Sequence, residues 1–140
     1  MIVVFDTNVF VSAAGARAGP SWQCCVLLVQ RRFQLAVTQA ILAEFETVAD
    51  RLARRPGRYR GMNWRPVFQW LKDKARMLEP DPLGKPRSRD ATDDIFLECG
   101  LASGAKKVVS RDKDLLALGK PFGIEILSPS EFVAQMKKLV

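Results

Sequence analysis

The chain has 140 residues, 48% of them apolar and 26% charged, with 22 Lys plus Arg against 15 Asp plus Glu, no His and three Cys. That length fits one domain, able to bury roughly two-thirds of its unfolded surface without disulfide or metal staples, and the missing histidine excludes serine–histidine and cysteine–histidine catalysis as well as histidine-ligated zinc and haem. The net charge of +7 is concentrated: residues 51–76 hold nine basic residues and one acid, Asp73, for a local +8, while the rest of the chain nets −1.

In chain order, Ile2–Phe5 is a short apolar, β-branched run that reads as a strand buried on both faces of a parallel sheet. An irregular Gly15–Pro20 stretch follows. Ser21 then suits the N-cap of a helix running to about Arg31. Gln34–Val37 reads as a second strand. Thr38 caps a helix whose apolar residues Ile41, Leu42, Phe45, Val48, Ala49 and Leu52 recur at 3.6-residue spacing, and Pro56–Gly57 ends it. Asn63 is the next N-cap, with Pro66 tolerated in the first turn and Val67, Trp70 and Leu71 as the inward stripe.

Met77–Leu78 reads as a third strand and residues 80–89, with three prolines and a glycine, as a surface loop. A helix starts around Asp90–Thr92 and turns Phe96, Leu97, Gly100 and Leu101 inward, with Gly104 as its stop. Lys107–Ser110 is a fourth strand, Lys113–Leu118 a short helix and Gly123–Leu127 a fifth strand. Ser128-Pro129-Ser130-Glu131 combines an N-cap, a proline at the first helical position and a glutamate at the third. Strands alternating with helices at this rhythm predict an α/β fold with a parallel sheet.

The longest apolar runs, Met1–Phe5 and Cys24–Val29, are far short of the ~20 residues of a membrane span. The start of the chain lacks a basic region and Asp6 interrupts its apolar run, so no secretory signal is expected. Cys24, Cys25 and Cys99 have no disulfide spacing and read as reduced core thiols of a cytoplasmic protein. The basic segment suits a polyanion, with Tyr59, Trp64 and Trp70 placed either to stack on bases or to pack; its plainer role is a solvated helix face.

Ligands of parallel α/β sheets gather where strands hand over to helices. Asp6 ends the first strand, Asp112 follows the fourth, Glu44 lies in the second turn of the helix after strand two, and Asp93 in the first turn of the helix before strand four. All four can therefore reach one edge. Hard carboxylate oxygens without nitrogen or sulfur partners suit Mg²⁺ or Mn²⁺, and a divalent ion relieves the repulsion of clustered carboxylates. Such an ion also acidifies a bound water and stabilises charge on a phosphate ester under attack. Each acid alone has a plainer role: Asp6 as a cap, Asp93 at a helix start, Asp112 and Asp114 in a loop, Glu44 on the surface.

The run Ile2-Val3-Val4-Phe5-Asp6-Thr7-Asn8-Val9-Phe10-Val11-Ser12 resembles the opening signature of the PIN domain family of metal-dependent nucleases. Asp90–Glu98, Ser103-Gly104-Ala105 and Val108–Leu116 resemble its second half, and Ile126–Phe132 its closing strand and helix. The match runs over nearly the whole chain, in order. It implies one PIN-like domain over residues 1–140, a three-layer α/β/α sandwich with a mostly parallel five-stranded sheet.

Carried over residue by residue, the resemblance implies that Asp6, Glu44, Asp93 and Asp112 are the catalytic and metal-binding acids. Asn8 and Ser110 are their polar supports, and Asp94 and Asp114 are neighbouring acids. Counting back from Gly104 selects Asp93 over Asp94; counting back from Arg111 selects Asp94. The family implies hydrolysis of RNA phosphodiesters with Mg²⁺ or Mn²⁺ as cofactor. Arg111, Arg54, Arg55 and Arg58 are then the expected RNA contacts. It further implies the toxin of a toxin–antitoxin pair, partnered by a small antitoxin protein and by a second copy in a homodimer. The alternatives are a housekeeping RNA-processing nuclease and a catalytically inactive RNA-binding module; a complete set of acids argues against the last.

Overall fold

The computed structural model describes residues 1–16, 18–79 and 94–138. Five strands, β1 (Ile2–Phe5), β2 (Gln34–Thr38), β3 (Arg76–Leu78), β4 (Lys107–Val109) and β5 (Glu125–Leu127), form one sheet in the order β3-β2-β1-β4-β5. Every neighbouring pair is parallel, so the expected mostly parallel sheet is parallel throughout. Val3, Val4 and Phe5 are fully buried, as a strand covered on both faces requires.

Among the described residues seven α-helices cover the sheet: α1 (Thr7–Gly15), α2 (Gly19–Val29), α3 (Gln39–Arg54), α4 (Arg65–Lys74), α5 (Asp94–Ser103), α6 (Lys113–Leu116) and α7 (Pro129–Lys138). The crossovers β1→β2 and β2→β3 step in one direction along the sheet. The crossover β3→β4 steps back past both strands, so right-handed connections put α5 on the opposite face from α1 to α4. The result is the expected three-layer α/β/α sandwich. On one side Phe5 meets Phe10, Phe33 and Phe132 with ring centroids 5.5–6.2 Å apart. On the other, Gly100 of α5 lies so close to the sheet that a Cβ there would stand 3.0 Å from Ile124 and 3.6 Å from Val108.

Several boundaries differ from the sequence reading, each for a local reason. Residues 7–15 form a helix that the β-branched run Thr7–Val11 does not announce; Asp6 caps it, and burial of Val9, Phe10, Val11 and Ala13 overrides propensity. Helix α2 begins at Gly19, not after Ser21, because Pro20 is well suited to a first turn. Trp64 rather than Asn63 precedes α4. Leu101 is 42% exposed, because it lies 140° around the helix from Phe96, at the edge of the α5 stripe. The expected helix start at Asp90–Thr92 lies outside the described residues. The fourth strand ends at Val109, and Gly123 belongs to a 3₁₀ turn before β5. The closing capping box forms as expected: Glu131 N–H donates to Ser128 Oγ at 3.2 Å and Ser128 N–H to Glu131 Oε1 at 3.1 Å.

Candidate active site

Helical crossovers leave β1 in one direction and β4 in the other, so the sheet's topological switch point falls between these two strands. The chain leaves β1 at Asp6 and β4 at Ser110-Arg111-Asp112. Asp6 is 3% exposed and Ser110 fully buried, and both are tied to the ladder: Asp6 N–H donates to Val109 O at 2.9 Å and Ser110 N–H to Leu127 O at 2.8 Å. Two adjacent parallel strands therefore place a carboxyl and a hydroxyl side by side.

Asp6 is held from two directions. Ser110 Oγ donates to Asp6 Oδ2, and the Asn8 backbone N–H donates to Oδ1 at 3.2 Å, closing the cap of α1. Burial raises the Asp6 pKa to about 6; Ser110 and Asn8 pull it down, and the charges of Glu44 and Asp112 push it up. Asp6 thus feels both other acids across chain separations that only the fold removes.

Glu44 is half-buried and accepts a 2.6 Å hydrogen bond from Thr7 Oγ1. Its helix is fixed by Thr38, whose Oγ1 accepts from Ile41 N–H at 3.2 Å. Asp112 caps α6: its Oδ1 accepts from Asp114 N–H at 2.7 Å and from Leu115 N–H at 3.4 Å. Its own N–H donates to Ser110 Oγ at 2.9 Å, so one hydroxyl links both aspartates. Glu46, two residues from Glu44, is exposed on another face of α3.

The remaining expected residues fall into place unevenly. Asp93 lies outside the described residues, while Asp94 is buried, 6% exposed, at the start of α5. Asn8 supports Asp6 through its backbone, and its side chain is exposed. Asp114 is half-buried in the first turn of α6. Among the described residues no three acids or thiols stand close enough together to hold an ion. The donor set nevertheless suits a hard divalent cation: oxygens only, one of them buried and reluctant to ionise unless positive charge arrives.

Two further residues escaped the sequence reading. Thr7 holds Glu44 through its hydroxyl, and Ser12 Oγ accepts a 2.9 Å hydrogen bond from Arg111 Nη1. Both lie on α1, the helix that local propensity hides. In the basic segment the aromatic residues pack: Trp64 is 4% exposed against Phe45 and Phe68. Arg54 pairs with Asp50 at 2.9 Å, and Arg55 and Arg58 are exposed, Arg58 lying 5.6 Å from the Tyr59 ring. The cysteines are buried, with thiols pushed up to about 12, and so are inert core residues as expected.

Residues 2–114 match the PIN domain family. The chain belongs to that family. Two solved structures share the fold of this PIN domain. PAE2754 from Pyrobaculum aerophilum is 16% identical, with a TM-score of 0.68 over 99% of this chain and 90% of that one. VapBC2 from Rickettsia felis, bound to a DNA fragment from their promoter, is 14% identical, with a TM-score of 0.56 over 91% of this chain and 98% of that one. No curated protein matches. No helix among the described residues is long and apolar enough to cross a membrane.

Proposed function

We propose that this PIN domain is a divalent-metal-dependent endoribonuclease, the toxin of a toxin–antitoxin pair, working in the cytoplasm. The observation that carries the reading is the buried Asp6 at the switch point, bonded to Ser110 and within electrostatic reach of Glu44 and Asp112. Asp6, Asp112 and Glu44, drawn closer together by the ion than they stand without it, would hold Mg²⁺ or Mn²⁺, with Asp94 of α5 or its chain neighbour Asp93. When bound, the ion supplies Lewis-acid stabilisation of the phosphate and a more acidic water. Ser110 fixes the orientation of Asp6 and Asp112 together, Thr7 fixes Glu44, and the α1 cap sets the angle at which Asp6 leaves the strand. Arg111, Arg54, Arg55 and Arg58 bring positive charge to the RNA.

The likeness to VapBC2 supports the toxin reading over a housekeeping nuclease, and with it an antitoxin partner. The test is sequencing of RNA ends after controlled expression of the wild type and Asp6→Asn. Asn keeps the shape and removes the charge, so new RNA ends should appear with the wild type only. In vitro, Asp6→Asn and Asp112→Asn should lower turnover by more than about a hundredfold, as for loss of metal ligands. Full cleavage in saturating EDTA, or by both variants, refutes the mechanism.

A further inference from the structure

Helix α1 is capped by Asp6 and carries Asn8, Val11, Ser12 and Gly15 along one side, since residues three and four apart share a helix face. From Asn8 to Gly15 that side runs about 10 Å away from the Asp6 cap. Two distant residues are fastened to it. Arg111 Nη1 donates to Ser12 Oγ at 2.9 Å. The Tyr59 ring lies so close to Gly15 that a Cβ there would stand 2.3 Å from both Cδ1 and Cε1. Only the missing side chain lets the ring rest on the helix.

A cavity of about 290 Å³ opens here, lined by Asn8, Val11, Leu52, Tyr59 and Arg111. Two of these residues tie it to the acids: Asn8 N–H donates to Asp6 Oδ1 at 3.2 Å, and Arg111 stands between Ser110 and Asp112 in the chain. The lining has a definite chemistry. Val11 is buried and Leu52 half-buried, giving an apolar base; Tyr59, half-buried, adds an aromatic ring. Asn8 and Arg111 are exposed, so an amide that both donates and accepts and a fork of N–H donors stand at the mouth. The volume is at the small end for a ligand cleft and suits one flat ring system. An apolar base, an aromatic ring and hydrogen-bonding groups at the edge are what an unstacked nucleobase requires: stacking on its face and pairing at its rim.

We propose that this cavity is a nucleobase slot, in which one base of the bound RNA strand stacks on Tyr59 while Asn8 and Arg111 meet its edge, next to the phosphate cleaved at the Asp6 site. That the strand is RNA rests on the ribonuclease reading; the stacking of a base does not. Gly15 and Ser12 are positioning residues, the first by admitting the Tyr59 ring and the second by holding Arg111.

Tyr59 is the one tyrosine of the chain, so its ring signals are identified without ambiguity. Nucleosides, which carry no phosphate and so gain nothing from the basic segment, and a short single-stranded RNA are titrated in EDTA into wild type, Tyr59→Phe and Tyr59→Leu. In the wild type the ligands should move the Tyr59 ring protons upfield and shift the Asn8 side-chain amide. Tyr59→Leu should weaken RNA about tenfold or more, the loss expected of one base–aromatic stack. Its salt slope should stay that of the wild type, because stacking releases no counterions. Tyr59→Phe keeps the ring and should bind as the wild type does. Ring signals moved by neither ligand, or wild-type RNA affinity in Tyr59→Leu, overturn the slot. An equal loss in Tyr59→Phe and Tyr59→Leu assigns the effect to the hydroxyl and overturns stacking. If Tyr59→Leu lowers Tm, the wild-type ring shift decides, since a purely structural tyrosine would not respond to a nucleoside. Ring shifts without any RNA cleavage keep the slot and remove the ribonuclease reading; metal-dependent cleavage with unmoved ring signals does the reverse.

Discussion

At the scale of single residues, the molecule turns on one carboxyl that burial makes unwilling to ionise. The folded pKa of Asp6, about 6, exceeds its unfolded value of 3.8. Between these values the native state holds a proton that the unfolded chain releases, so stability falls as pH rises from about 4 to about 6 and is level beyond. The shift corresponds to about 3 kcal/mol, an order-of-magnitude figure. Urea midpoints of the metal-free protein at both ends of that window, with Asp6→Asn as reference, measure it: the variant should lack this component. Divalent metal competes with the same proton, so its affinity should rise over the same window. Ser110→Ala removes the hydroxyl that favours the Asp6 carboxylate, and should move that dependence to higher pH and weaken metal about 10–100-fold. A metal titration followed by calorimetry checks both. Gly15 shows the opposite demand, for absence of a side chain: a Cβ there would meet the Tyr59 ring at 2.3 Å, so even Ala displaces the residue that supports Arg58.

At the scale of elements, short helices and their caps aim the site. Thr38 starts α3 and thereby sets the position of Glu44 two turns on. Thr38→Ala should cost about 1 kcal/mol, a typical N-cap loss. It should also weaken metal while leaving Asp6 in place, which denaturation and Mn²⁺ titration of one variant distinguish. On the proposed function, the basic stretch between α3 and α4 would meet RNA through charge rather than through Trp64, which is buried against Phe45 and Phe68. Replacing Arg54, Arg55 and Arg58 by Ser should therefore reduce RNA affinity and flatten its salt dependence, since each phosphate contact releases counterions. Stability should hardly change: the Arg54–Asp50 pair is solvent-exposed, and such pairs contribute little. Filter binding across a salt series reads the slope, and an unchanged slope returns these arginines to solvated surface.

At the scale of the whole molecule, the sheet decides where chemistry can occur. The strand order reverses only between β1 and β4, which opens a crevice at the carboxyl ends of the two strands that carry Asp6 and Ser110-Arg111-Asp112. Glu44 arrives from α3 on one side of the sheet and α5 packs on the other, so on the proposed function an ion that also took an acid from the α5 side would fasten both helical layers to the central strands. Binding to the native state alone stabilises by mass action, by about 2.7 kcal/mol at a hundred times Kd. Mn²⁺ should accordingly raise the Tm of the wild type, and EDTA should reverse the gain. In Asp6→Asn the metal should leave Tm unchanged, a scan that needs no RNA.

How much of this was legible in the sequence follows from the range of the forces involved. Patterns with a short period were readable: the buried β1 run, the 3.6-residue stripe of α3, the capping box of α7, and an alternation of strands and helices that implies a parallel sheet. The acids at strand ends were readable too, because the chain itself puts Asp6 and Asp112 where strands stop. Helix α1 was not, since Thr7–Val11 favours a strand locally and only the Asp6 cap and the burial of Phe10 against Phe5 and Phe45 make it helical. Without that helix neither the Thr7–Glu44 bond nor the Ser12–Arg111 bond could be seen. The sequence by itself determined the fold class, the oxygen chemistry of the acids and the place of the charge. Tertiary structure alone decided that Ser110 meets Asp6 over 104 positions, that Asp6 is desolvated, and that Tyr59 and Arg111 share a cavity with Asn8. Burial and long-range hydrogen bonds depend on which surfaces are brought together, and no local run of residues encodes that.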